Sequence, residues 1–163
     1  MAADTKPAPW RAIVATSVDW KQSHATFDDA VDGLSAELRG RRPEHFPHSI
    51  WELVEHIRIA QADIVAFMRD KSYKTPKWPD DYWPSEPAPR DSHAWNNSIA
   101  AVRRGNAELK AIATDPALDL TAKIPWGDDQ TYLRTILVAT DHMAYHVGEL
   151  IVVRRLLGAW PAT

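Results

Sequence analysis

The chain has 163 residues, a length typical of one domain, and we expect a single domain over residues 1–163. It contains no cysteine, which excludes disulfide scaffolds, cysteine-ligated zinc, iron–sulfur clusters and thiolate nucleophiles supplied by the protein. The net charge of −3 gives no electrostatic support to nucleic-acid binding.

The start of the chain and its apolar runs bear on where the protein is located. The first ten residues, MAADTKPAPW, lack the cationic start and the apolar run of a signal peptide. No stretch approaches the roughly 18 consecutive apolar residues that a membrane span needs. These features predict a cytoplasmic protein without a membrane partner.

The first predicted helix runs from Trp10 to Leu38, because its apolar residues recur at spacings of three and four. Gly40 follows it, and three arginines lie around its end: Arg39, Arg41 and Arg42. They could form a patch for anions or nucleic acid. The lack of a wider basic stripe favours the other interpretation, in which cations compensate the negative end of the helix dipole.

The second predicted helix has the clearest start signal in the chain. Ser49 and Glu52 have the spacing of a capping box, in which two side chains satisfy free backbone N–H groups reciprocally. A single apolar stripe follows, made of Ile50, Leu53, Ile57, Ile64 and Met68.

Residues 71–90 differ from the rest in composition, with five prolines among four aromatic residues, Tyr73, Trp78, Tyr82 and Trp83. About twenty extended residues can reach ~60 Å, enough to let the helices on either side run parallel. Such a segment can also bind partners through polyproline recognition. We expect instead that its aromatic residues pack onto the bundle and shape the wall of a pocket.

Two further helices complete the predicted fold. The third covers Ser92–Thr114 and has a short heptad seam; the fourth covers Gln130–Leu157 and ends in basic residues followed by Gly158. With little room for a sheet, the pattern predicts an all-α fold. The helices would form a four-helix bundle that runs up-down-down-up, with the long crossover between helices 2 and 3.

The fourth predicted helix carries His142 and His146, which lie at i and i+4 and therefore on one face. Two imidazoles so placed can share one metal ion. This helix is apolar around most of its circumference, so we expect it to lie deep in the bundle. Polar side chains there need partners, and a histidine pair hydrogen-bonded across the core would satisfy the same pattern.

A third histidine, His56, lies at the edge of the apolar stripe on the second helix. Three neutral imidazoles leave a coordination position free, which is the catalytic arrangement of zinc. Adding Glu149 would give a mixed site closer to the preferences of iron or manganese. Glu149 could be a ligand, a partner of an imidazole or a general base.

The other histidines receive simpler interpretations. His24 could approach the site, although a surface position is favoured, and His93 has no visible partner. We interpret His45 and His48 as capping or solvent-exposed residues. Asp141 is expected to point away from His142.

Two motifs together resemble the DinB/YfiT-like superfamily of small four-helix proteins. One is PHSIWELVEHI at residues 47–57; the other is DHMAYHVGEL at 141–150, which continues through IVVRRLLG at 151–158. The resemblance implies a metal site formed by His56, His142 and His146, usually occupied by nickel or zinc. Relatives include S-transferases and isomerases that use low-molecular-weight thiols such as bacillithiol or mycothiol, and related bundles often form homodimers.

Three functional hypotheses follow. The leading one is a metal-dependent enzyme that acts on a small-molecule substrate by hydrolysis or by thiol transfer. Because the chain has no cysteine, any reactive thiol must come from a cosubstrate. The second is a non-catalytic metal-binding or stress-related protein. The third is an interaction module that uses residues 71–90 as its binding surface.

Overall fold

The structure, a computed structural model, describes residues 8–161, so most of the N-terminal stretch used for the signal-peptide prediction lies outside the described residues. Within 8–161 the chain forms five α-helices: α1 (Pro9–Ser17), α2 (Phe27–Val31), α3 (Ile50–Arg69), α4 (Ser92–Thr114) and α5 (Tyr132–Leu156). Short 3₁₀ turns occupy Ala36–Leu38 and Asp80–Tyr82. This range has no β-strand, only an isolated bridge between Lys123 and Thr131, and the all-α prediction is confirmed.

The prediction of one helix over Trp10–Leu38 is wrong, because α1 ends at Ser17 and α2 starts only after Thr26. Thr26 and Asp29 form a capping box, in which the Thr26 hydroxyl accepts from Asp29 N and the Asp29 carboxylate accepts from Thr26 N. An N-cap residue has an extended backbone, here φ −83° and ψ 171°, which cannot continue a preceding helix. Gly33, at φ +64°, then turns the chain away after α2.

The start of α3 agrees with its sequence signal. The Ser49 hydroxyl accepts from Glu52 N at 3.2 Å, and the Glu52 carboxylate accepts from Ser49 N at 2.8 Å. Arg42 donates to the same carboxylate at 2.8 Å, which anchors the preceding connection to the helix start. This cap fixes the first turn of the helix that carries His56.

α3 packs against both α4 and α5. The first half of its apolar stripe is fully buried: Ile50 and Leu53 are 0% exposed and Ile57 is 1% exposed. One core cluster joins this half of α3 to α4 and to the C-terminal half of α5, and a second lies around the other end of α3. Because α3 and α5 are neighbours, histidines on their facing sides can meet.

The segment between α3 and α4 packs on the bundle through Tyr82. This residue is buried, and its hydroxyl donates to the Asp63 carboxylate at 2.7 Å. Trp78, a few residues earlier, is 66% exposed. The expectation that aromatic residues of this crossover contact the bundle is therefore confirmed for Tyr82, while Trp78 faces solvent.

α5 is less enclosed than its apolar composition predicts. Five of its apolar residues are 43–64% exposed: Leu137, Val138, Tyr145, Val152 and Leu156. By length and composition alone it is long and apolar enough to cross a membrane, a test that core helices of soluble proteins also pass. One face of the helix is open to solvent, so the expectation that it lies deep in the bundle is wrong.

Candidate metal centre

The facing sides of α3 and α5 bring together His56, His142 and His146. One ring nitrogen of each lies within 4.8 Å of the others, and the Nε2 atoms of His56 and His142 are 3.1 Å apart. Nitrogen ligands bind zinc at about 2.0–2.1 Å, which puts two tetrahedral ligands about 3.3 Å apart. The three histidines are therefore close enough to be candidate ligands of one divalent ion.

Hydrogen bonds on the far side of two rings set their orientation. His56 Nδ1 lies 2.9 Å from the carbonyl oxygen of Tyr82, so Nδ1–H donates to it and Nε2 is left to face His142. His146 Nδ1 lies 2.6 Å from Glu149 Oε2, which leaves its Nε2 free in the same way. Ligand histidines are typically held by such partners on the second ring nitrogen, which fix the tautomer and the ring plane.

Aromatic rings frame the three histidines. Trp83 lies between two imidazoles, stacked on His56 and on His48 with centroid distances of 4.0 Å each. On the other helix, the Tyr145 ring meets His146 edge-on at 4.9 Å. Stacked and edge-on contacts of this kind restrict ring rotation. The histidines are therefore held in place before any ion binds.

Burial keeps the histidines neutral at physiological pH. His56 is 2% exposed and His146 is 7% exposed. Burial and the two other imidazoles lower the pKa of His142 to about 4, and burial with the imidazoles of His56 and His48 lowers the pKa of His146 to about 4. Burial also lowers the pKa of His56. Neutral imidazoles are the form that binds metals.

The Glu149 carboxylate contacts one histidine of this cluster. It lies 2.6 Å from His146 Nδ1 and is absent from the group of mutually close candidate ligand atoms. Its side chain is 26% exposed, and burial raises its pKa above the usual value. Its position is that of a partner of His146 at the solvent edge of the site.

The other four histidines lie outside this cluster, in different surroundings. The expectation that His48 is a capping or solvent-exposed residue is wrong, because its ring stacks on Trp83 beside the site. His45 is exposed, as expected, and His93 is exposed as well. His24 lies away from the triad and lines a cavity on the opposite side of α5.

No local sequence pattern indicates that His48, Trp83 and Tyr145 belong to the site. Trp83 of the crossover stacks on His48 and on His56, and residues so far apart in the chain show no common spacing. Tyr145 directly precedes His146, and the two rings touch along the helix surface. Consecutive helical residues point about 100° apart, so helical periodicity does not predict this contact. The composition of residues 71–90 predicted a pocket wall without specifying which ring would form it.

Comparisons with known proteins give one match. The family model of the DinB superfamily matches residues 19–150, which is most of the chain and includes α2 to the C-terminal half of α5. Neither the curated proteins nor the solved structures gave a match to this chain.

Proposed function

This chain belongs to the DinB superfamily, and from that premise we propose that it is a metal-dependent enzyme acting on a small molecule. The observation that carries the proposal is the meeting of His56, His142 and His146 with their ligand nitrogens within 4.8 Å of one another. Three nitrogen ligands leave a coordination position open, as catalytic zinc sites do, whereas structural sites use four protein ligands. The proposed ion is divalent, nickel or zinc first, with iron or manganese as further options.

The proposed chemistry is hydrolysis or transfer of a low-molecular-weight thiol. A divalent ion in such a site lowers the pKa of the water or thiol that it binds toward neutrality. The chain supplies no cysteine, so in thiol transfer the thiol enters as a cosubstrate. Trp78 is exposed and its ring centroid lies 6.4 Å from that of His56, a position suited to contact a bound substrate.

We propose that Glu149 orients His146 and accepts a proton during the reaction. Its carboxylate accepts the Nδ1–H of His146, which keeps Nε2 available to the ion. Its raised pKa and partial exposure suit a group that takes up a proton near the solvent edge of the site. Glu149 acts in both roles without binding the ion itself.

A non-catalytic metal-binding protein is the second proposal, because the same three nitrogens would serve it. Removing the metal from a structural site melts the fold, whereas a catalytic site in a preformed core loses only its activity. The burial of α3 by apolar residues of α4 and α5 favours a core that persists without the ion.

The third hypothesis, partner binding through residues 71–90, is weakened because Tyr82 and Trp83 are occupied by contacts with α3.

We propose that the helices form a single-domain, four-helix bundle with an up-down-down-up course. Contacts between α3 and α4 follow the same order along both helices, which supports a parallel pair joined by the crossover: Trp51 with Trp95, Gln61 with Asn106, Arg69 with Glu108.

We further propose a cytoplasmic protein without nucleic-acid or membrane partners. We also propose a homodimer, which sedimentation or light scattering would test.

The decisive experiment combines metal analysis with a substrate screen. Tag-free protein is analysed for bound metal, then assayed for hydrolysis and for thiol conjugation before and after treatment with a chelator. Metal-dependent turnover that returns when the ion is restored supports the enzyme. Bound metal without any turnover, together with melting on chelation, would favour the non-catalytic protein.

A further inference from the structure

A cavity lies on the side of α5 away from the histidines. It has a volume of about 320 Å³ and lies between the α1–α2 connection, α4 and α5. Each helical residue advances about 100°, so Ala144 on the cavity wall lies about 200° around α5 from His142. The wall that Ala144 forms therefore points away from the proposed metal centre, while Met143 reaches the cavity from the core face of α5.

The interior of this cavity is apolar. Val18, Phe27 and Val147 form part of its lining and are each less than 5% exposed. Trp20, 40% exposed, stands at its rim. A volume near 300 Å³ with an apolar lining and a few polar groups is the usual form of a small-molecule site.

The polar side chains of the lining mostly present hydrogen-bond acceptors. The Ser17 hydroxyl donates to Val14 O at 2.8 Å, and the Thr140 hydroxyl donates to Ile136 O at 3.0 Å. Both hydroxyls have used their only proton and can only accept from a ligand. His24 Nδ1 lies 2.8 Å from its neighbour's carbonyl oxygen, which leaves Nε2 as an acceptor in the neutral ring.

The lining also carries two carboxylates. Asp19 is paired with Lys110 at 2.6 Å, whereas Asp141 forms no ion pair within residues 8–161. An acceptor-rich, negatively charged edge around an apolar interior complements a ligand with an apolar body and a cationic donor. Asn106, 7% exposed, also lines the cavity, and its side-chain amide pairs with Gln61.

We propose that this cavity binds a small organic amine, with its apolar body inside and its ammonium group at the Thr140–Asp141 edge. The site is separate from the three histidines, so it is independent of the function proposed for them. A primary ammonium has three donors and stays protonated at pH 7, as a lysine side chain does.

The test titrates the full-length protein with 2-phenylethylamine and with its neutral analogue 2-phenylethanol, by calorimetry or NMR. We expect the amine to bind about two- to fivefold more tightly than the alcohol, the effect of one exposed ion pair. Ala144→Leu, which fills the cavity, should weaken the amine at least about tenfold. Asp141→Asn should remove the preference for the amine, whereas the exposed control Asp128→Asn should keep it.

Three results would overturn the proposal. The first is equal binding of the amine and the alcohol, or no binding of the amine. The second is unchanged binding in Ala144→Leu; if that variant fails to fold, unchanged binding in Thr140→Val together with Asp141→Asn would overturn it equally. The third is loss of amine binding in the variant His142→Ala/His146→Ala, which would place the amine at the histidines.

Discussion

The Nε2 atoms of His56 and His142 lie 3.1 Å apart, although 86 positions separate the two histidines along the chain. Because His56 donates its Nδ1–H to Tyr82 O, its Nε2 carries a lone pair. His142 can satisfy that lone pair with its own Nε2–H, or both lone pairs can bind one cation. The same geometry thus serves the metal-free protein and the metal-bound one.

Removing two of the three ligands should abolish metal binding. We expect His142→Ala/His146→Ala to lower bound metal from about one ion per chain to near zero, because one imidazole cannot hold a divalent ion against solvent. The measurement is elemental analysis of dialysed, tag-free protein. His93→Ala, at an exposed histidine of α4, is the matched control and should keep its metal. Full metal content in the double variant would rule out this site.

Glu149→Ala should weaken metal binding about 10–100-fold, the usual effect of losing the partner of a ligand histidine. Glu149→Gln should be milder, since an amide oxygen can still accept from His146 Nδ1. Competition with a chromogenic chelator measures both affinities. Glu108→Ala, which removes an exposed carboxylate paired with Arg69, should leave the affinity unchanged. An equal effect of Glu108→Ala would contradict the role given to Glu149.

The metal-free protein should lose stability as the pH falls from about 6.5 to about 4. The His142 pKa is lowered to about 4 in the folded protein, while the unfolded chain has the ordinary value of 6.5. Between these pH values the unfolded chain binds a proton that the folded protein excludes. The free energy of unfolding therefore decreases as the pH is lowered. Urea titrations at several pH values measure this slope, which should be flatter in His142→Ala. Equal slopes would show that His142 is not held neutral.

Trp83→Ala should lower both stability and metal affinity. Trp83 fills the gap between His48 and His56. Its loss leaves the His56 ring without a stacking partner, so that ring can rotate. We expect a cost of about 2 kcal/mol in the free energy of unfolding, below the 3–5 kcal/mol typical of fully buried aromatic residues. Trp83→Phe keeps a stacking ring and should recover most of both properties. Thermal melting with chelator competition provides the two readouts, and unchanged metal affinity in Trp83→Ala would show that stacking does not position His56.

Local signals in the chain predict the long helices well. Ser49 and Glu52 predict the start of α3, and the expected third helix has the bounds of α4, Ser92–Thr114. Caps act within one turn, so their spacing is visible without any partner. The single helix predicted over Trp10–Leu38 is wrong for a related reason: Thr26 and Asp29 have the same capping spacing, and this local cap outweighs the apolar periodicity around it.

The sequence by itself determined the helical elements and the His142–His146 pair, because helix caps and an i,i+4 spacing depend only on near neighbours. Tertiary structure decided that His56 completes the triad and that Trp83 and His48 stand beside it. It also placed His24 at a separate cavity. These contacts join residues far apart in the chain, and they depend on how α3 and α5 face each other, which local spacing does not specify.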